Sequence, residues 1–275
     1  MRQIAPSAAP FGLAFLGLVM IGYGLSWTDL HGGSLSGATD EPTSAQEDAS
    51  DTSSLIDRCV AAAWQDADIR PSHVCDDSTF IRRIHLDMIG RIPTTTERDE
   101  YLADSHPDKR QRWIDRLLTS AEYARHMAEV FDVLLLGRTD AAGMKQRAEQ
   151  GWIDYLTESF AANRPWNQMA RDMVLARNVD GADIRATWYL FERRNRHQEI
   201  AESVAPDFFG IRIECAQCHD HPLASEIQQE HYWGLVAFFN RSENQKTDKG
   251  PRVVEKASGG SQNYTDLVGD SHPML

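Results

Sequence analysis

The stretch Asp77-Ser78-Thr79-Phe80-Ile81-Arg82-Arg83-Ile84-His85-Leu86-Asp87-Met88-Ile89-Gly90-Arg91-Ile92-Pro93-Thr94 decides how the rest of the chain is read. Phe80, Ile81, Ile84 and Met88 recur at the spacing that places side chains on one side of a helix, so a helix is predicted over 77–89. Gly90 follows directly, where helices commonly end in left-handed backbone. Thr94, with Glu97 after it, has the pattern of a capping box and opens a further helix to about residue 103. Helix, stop, cap and new helix succeed one another with no alternating strand between them.

Working outward, the same pattern continues. Upstream, Ser54 and Asp57 form a capping-box pattern ahead of Leu55, Ile56, Cys59, Val60, Ala63 and Trp64, and Ile69-Arg70-Pro71 stops that helix. Downstream, Trp113, Ile114, Leu117 and Leu118 mark one helix, and Tyr123, Met127, Val130, Phe131, Leu134 and Leu135 another. Trp152, Ile153, Leu156 and Phe160 mark a third, Pro165 opens a fourth, and residues 189–204 and 228–239 supply two more. No run of alternating strands separated by tight turns is present, so residues 54–241 are read as an all-α body, an irregular multi-helix bundle carrying a C-x-x-C-H loop. Residues 242–275 read as a polar, Gly-rich tail with one strand-like run at 252–256.

Composition sets the limits. With 275 residues, 41% of them hydrophobic and 25% charged, the chain is globular with a sizeable core. Lys+Arg of 28 against Asp+Glu of 41 gives a net charge of −13 and no segregated basic patch, which makes nucleic acid a poor partner. Arg2 is followed by an apolar run over 11–25, with no charge before Asp29, so residues 1–27 are read as an export segment, either a signal peptide or a membrane anchor. The body is thereby expected outside the cytoplasm, periplasmic or membrane-anchored. Residues 28–53 are read as an acidic, Ser/Gly-rich disordered linker, because Asp29, Asp40, Glu41, Glu47, Asp48 and Asp51 stand among small polar residues with almost nothing apolar to bury.

The chemistry concentrates at Glu214-Cys215-Ala216-Gln217-Cys218-His219-Asp220-His221-Pro222. Cys215 and Cys218 are one helical turn apart, so both sulfurs can meet one porphyrin edge while His219 is carried to the iron as proximal ligand. Haem c is therefore the expected cofactor. Zinc on Cys215, Cys218 and either His219 or His221 is the alternative, since zinc favours soft sulfur and imidazole ligands; a redox disulfide and a purely structural turn are the other readings. Met127, Met169, Met173 and His231 are candidates for a sixth iron ligand. The expected partner is a redox protein or another exported protein, against the alternative of a non-haem extracytoplasmic interaction domain.

Ile56-Asp57-Arg58, Pro71-Ser72, the run 77–94, Lys109-Arg110, Ile114-Asp115-Arg116-Leu117-Leu118, Asn163-Arg164-Pro165-Trp166, residues 215–222 and Ala237-Phe238-Phe239 together resemble the planctomycete secreted cytochrome-type domain family, a domain of unknown function. The resemblance spans about residues 55–241 and implies an exported protein with a haem-attachment motif. Longer members of that family continue into a large C-terminal domain, which is not expected in this chain.

Two further groups of residues carry competing readings. Arg82, Arg83, His85, Asp87 and Arg91 invite a catalytic reading, but an Arg beside an Asp is more often a structural ion pair. No G-x-S-x-G elbow, phosphate-binding glycine loop or H-E-x-x-H pair occurs, so hydrolase and nucleotide chemistry have no support and a redox role is what remains open. Cys59 and Cys75 are expected to pair in an exported chain: the helix from Cys59 advances roughly 14 Å and the returning chain can cover about 20 Å. Such a bridge would contribute on the order of 3 kcal/mol. The competing reading makes Cys59 a small apolar residue and Cys75 a loop thiol.

Overall fold

Helix α1 (Ala45–Asp66) belongs to the first of two units into which the chain divides, Met1–His73 and Val74–Leu275. The structure, a computed structural model, describes residues 45–175, 183–247, 250–261 and 263–274, with only the backbone at 45–54 and 250–251. Because α1 starts at Ala45, Ser54 and Asp57 lie inside the helix and do not cap it, and residues 45–53 are helical where a disordered linker was expected. Ala45, Gln46, Glu47 and Ala49 are good helix formers, a preference that the acidic composition of the stretch obscured. The stop falls as expected: Asp68 takes a left-handed φ of 51° and Ile69 N donates to Trp64 O at 2.8 Å, just ahead of Pro71. The apolar run over 11–25 and the linker residues 28–44 lie outside the described residues. Among the described residues no helix is long and apolar enough to cross a membrane, so a transmembrane segment finds no support there.

In the second unit, Asp76 accepts from Thr79 N at 2.7 Å to start α2 (Asp77–Ile89), and Gly90, at φ 72°, ends it by donating to Leu86 O. Thr94 and Glu97 form the expected capping box of α3 (Thr95–Ala103). With α4 (Lys109–Leu118), these helices enclose a small core of Ile81, Tyr101 and Trp113, flanked by Phe80 and Ile84. Arg91 ties the corner together, because its guanidinium forms paired hydrogen bonds to both Glu97 and Glu122 at 2.8–2.9 Å. Of the ionisable residues of this stretch, Arg91 serves the fold, His85 is fully buried, and Arg82, Arg83 and Asp87 are exposed.

The main core gathers side chains from α5 (Ala121–Leu136), α7 (Trp152–Ala161), α8 (Trp166–Leu175) and the helical turns near Trp188. Between α5 and α7 lies α6 (Ala141–Glu149), which the sequence reading missed because Ala-Ala-Gly-Met-Lys-Gln-Arg-Ala-Glu carries no apolar stripe. Its contribution to the interior is Arg147, buried against Asp132 and Glu192.

The segment read as one helix over 189–204 is broken. A 3₁₀ turn (Ile184–Thr187) leads into α9 (Trp188–Phe191), and α10 (His197–Val204) starts only after Arg194 and Asn195 pass through left-handed backbone at φ 51° and 63°. Long-range bonds hold this break, since Asn195 Oδ1 accepts from Asn244 N at 2.7 Å and Asn244 Nδ2 donates to Phe191 O at 2.6 Å. A π-helical turn (Ala205–Phe209) and a 3₁₀ turn (Glu214–Gln217) follow, and then α11 (Gln229–Phe239).

The region beyond Arg241 is more than a polar tail. Strands β1 (Ser242–Thr247) and β2 (Gly250–Glu255) form one antiparallel hairpin, and β3 (Asn263–Thr265) and β4 (Ser271–Pro273) a second. β2 takes up most of the strand-like run, and Val253 reaches the main core. The body remains an irregular multi-helix bundle, with no closed sheet among the described residues.

Candidate functional site

Ala216, between the two cysteines of the motif, is fully buried in a core cluster with Ala201, Ala205, Ile213, Tyr232 and Val236. This small side chain anchors the loop to α10 and α11. The 3₁₀ turn (Glu214–Gln217) carries Cys215 and ends at Cys218, three residues on, while Ala216 between them is buried. Both thiols are free and exposed, and His219 beside them is exposed too.

Hydrogen bonds to α11 fix the loop. Gln217 O accepts from Gln229 Nε2 at 2.9 Å and from Trp233 Nε1 at 3.2 Å, and Asp220 Oδ1 accepts from Gln229 N at 3.0 Å. That carboxylate sits at the N-terminus of α11, where the helix dipole favours negative charge. The sequence reading passed over Asp220, Gln229 and Trp233 as supports. All three bonds join positions nine or more residues apart, with no local pattern to signal them.

The two histidines of the loop differ in what they offer. His219 Nδ1 lies 2.7 Å from Asp220 O. A carbonyl only accepts, so Nδ1 carries the proton and donates, which leaves the Nε2 lone pair available as a ligand. Metal-binding histidines are commonly oriented through such a bond. His221 is spent on the fold instead: its Nδ1 accepts from Leu223 N at 3.2 Å and Ala224 N at 3.0 Å, and its own N–H donates to Ile227 O at 2.8 Å.

The donor types match haem c: two exposed thiols three residues apart and a neighbouring imidazole whose Nδ1 is bonded to Asp220 O, leaving Nε2 to ligate. Among the described residues, no group of three or more His, Cys, Asp or Glu side chains is placed to hold a metal ion. Of the sixth-ligand candidates, Met169 and Met173 are sealed in the main core, and His231 Nδ1 accepts from Gln228 N at 3.0 Å as part of a helix cap. Met127 is half-buried on α5. Cys59 is exposed on α1 and Cys75 is half-buried just ahead of α2.

No curated protein and no solved structure matches the chain. A family model does, over residues 55–244, which is more than half of the 275 residues and takes in the helical body and the Cys215–His219 loop. The chain belongs to the PSCyt2 family, proteins of unknown function (DUF1549).

Proposed function

We propose that this chain is an exported protein that carries haem covalently through Cys215 and Cys218, with His219 as the proximal ligand, and that it transfers electrons or holds haem for a partner. The observation that carries this reading is the Nδ1 bond of His219 to Asp220 O, which leaves Nε2 as the ligating atom directly beside two exposed thiols. Haem bound there supplies one-electron redox chemistry. The protein's own contribution is positional: Ala216 seats the turn, Gln229 and Trp233 hold its backbone, and Asp220 orients the imidazole. Export is supported by the Arg2-led apolar run at the N-terminus.

A second reading, a non-haem interaction domain with a structural turn, draws on His221, whose ring and backbone already close the loop without any bound group. Protein produced with the cytochrome c maturation machinery separates the two. The haem reading requires a Soret band that survives acid-acetone extraction and is lost in the Cys215→Ala/Cys218→Ala double variant; colourless protein under those conditions supports the structural turn.

A further inference from the structure

Trp233 stands where the Cys215–His219 loop meets α11. Its Nε1 donates at 3.2 Å to Gln217 O, the carbonyl directly ahead of Cys218, and its ring packs against the cluster that buries Ala216. Tyr232 meets it edge-on at 5.1 Å, so the indole is held from two sides.

From that ring a stack runs outward into the β3–β4 hairpin. Trp233 and Tyr264 lie parallel, with ring centroids 5.5 Å apart and planes at 8°, and Tyr264 stacks on His272 at 5.2 Å and 26°. Tyr264 is buried, whereas the His272 side chain is 43% exposed. The series thus begins at a hydrogen bond to the loop, passes through a buried ring and ends at the surface. Burial and the carboxylates of Glu230, Asp266 and Asp220 push the Tyr264 phenol up in pKa, which sets this ring among α11, the hairpin and the loop at once.

The outer end is rigid as well. Asp266 Oδ1 accepts from Val268 N at 3.0 Å and from Asp270 N at 2.9 Å, and its Oδ2 accepts from His272 Nε2 at 2.9 Å. The same turn displays Leu267 and Val268, 73% and 83% exposed. Tyr264 and His272 lie beyond residue 244, so the family-matched stretch supplies Trp233 alone of the three rings.

We propose that the Trp233–Tyr264–His272 stack carries single electrons between the Cys215–His219 loop and the β3–β4 hairpin, which makes the hairpin the face where a redox partner exchanges them. The identity of the donor at the loop rests on the haem reading above. Electrons tunnel through closely packed π systems with less attenuation than through water, and indole and phenol rings give up an electron more readily than aliphatic side chains. One electron leaves the donor at the loop and one reaches the partner's acceptor; no bond is made or broken, and the rings end as they began.

The test puts a ruthenium photo-oxidant in the partner's place, on Val268→Cys, in a chain with Cys59→Ser, Cys75→Ser, Cys215→Ala and Cys218→Ala, so that no haem is needed. After flash oxidation to ruthenium(III), one electron is expected to pass from the Trp233 indole to the metal, giving ruthenium(II) and the absorbance of an indole radical. Trp233→Phe should abolish that absorbance, which locates it among the seven tryptophans. Tyr264→Leu should slow its appearance at least tenfold with an unchanged thermal midpoint, and Tyr264→Phe, which keeps the stack, should keep the rate. If Tyr264→Leu unfolds the hairpin, Trp233→Phe decides. The proposal is overturned if the radical forms equally in Trp233→Phe, or equally fast in folded Tyr264→Leu. In matured protein with Cys59→Ser, Cys75→Ser and the labelled Val268→Cys, the same flash should oxidise the haem, again at least tenfold more slowly in Tyr264→Leu and at an unchanged midpoint potential. Absence of haem from that protein would remove the haem reading alone, because the radical is measured without it.

Discussion

Replacing Arg147 by methionine removes the polar centre of the main core. The guanidinium is 1% exposed and donates to Asp132 Oδ2 at 3.0 Å, to Glu192 Oε1 at 2.7 Å, to Gly137 O at 2.9 Å and to Leu136 O at 3.0 Å. The last two are carbonyls at the C-terminal end of α5, so Arg147 also satisfies that helix end. Burial works against its charge, but Glu192 and Asp132 prevail and its pKa is raised. Arg147→Met keeps an unbranched apolar stem, removes the guanidinium and leaves Asp132, itself 1% exposed, with Trp152 Nε1 at 2.9 Å as its remaining side-chain donor. Breaking one side of a buried pair in this way costs about 3–5 kcal/mol. For a body of this size each kcal/mol moves the thermal midpoint by about 2–4 °C, so a fall of roughly 6–20 °C is expected. Urea unfolding followed by circular dichroism supplies the free energy directly, with an unchanged m-value confirming that the same body unfolds. A second variant, Arg147→Met/Asp132→Leu, should recover part of the loss, because it also removes the stranded carboxylate. A loss below about 1 kcal/mol for Arg147→Met would refute the reasoning that this network holds α5, α6 and α9 together.

Three other outcomes follow. Gly90→Ala should destabilise by more than about 1 kcal/mol, since φ is 72° and the new Cβ would meet the His126 ring at 2.4 Å; a thermal midpoint equal to that of the parent would contradict this. Desolvation lowers the pKa of buried His85 below the usual histidine value, so the unfolded chain binds the proton more readily, and stability should fall as pH drops below about 6.5; His85→Gln should flatten that part of the profile. The exposed Cys59 thiol should react with maleimide in exported protein without reductant, whereas a thiol count that rises only after reduction would show that Cys59 and Cys75 pair after all.

The helices legible in the sequence are those whose ends are written locally. Asp76 and Gly90 bracket α2, and Thr94 with Glu97 opens α3, because each cap needs only residues within a turn of the helix end. What escaped is determined at long range. The break between α9 and α10 depends on Asn195 meeting Asn244, and α6 is retained by Arg147, whose partners come from α5 and the end of α9. The motif cysteines and His219 were legible as a pattern, but the separate duties of His219 and His221 were not: those follow from which backbone groups each ring meets. Glu97 and Asp77 show the same division. Arg91 holds the Glu97 carboxyl well below the usual range, and Lys109 with Arg110 brings Asp77 down to about 2, in each case through a partner that helical periodicity does not point to.

Covalent attachment at Cys215 and Cys218 is tested most directly by the intact mass of protein exported from cells that carry the cytochrome c maturation machinery. One haem added to the wild-type chain, retained after denaturation and absent from Cys215→Ala/Cys218→Ala, is the expected result. Wild-type protein from the same cells with both thiols unmodified would contradict it.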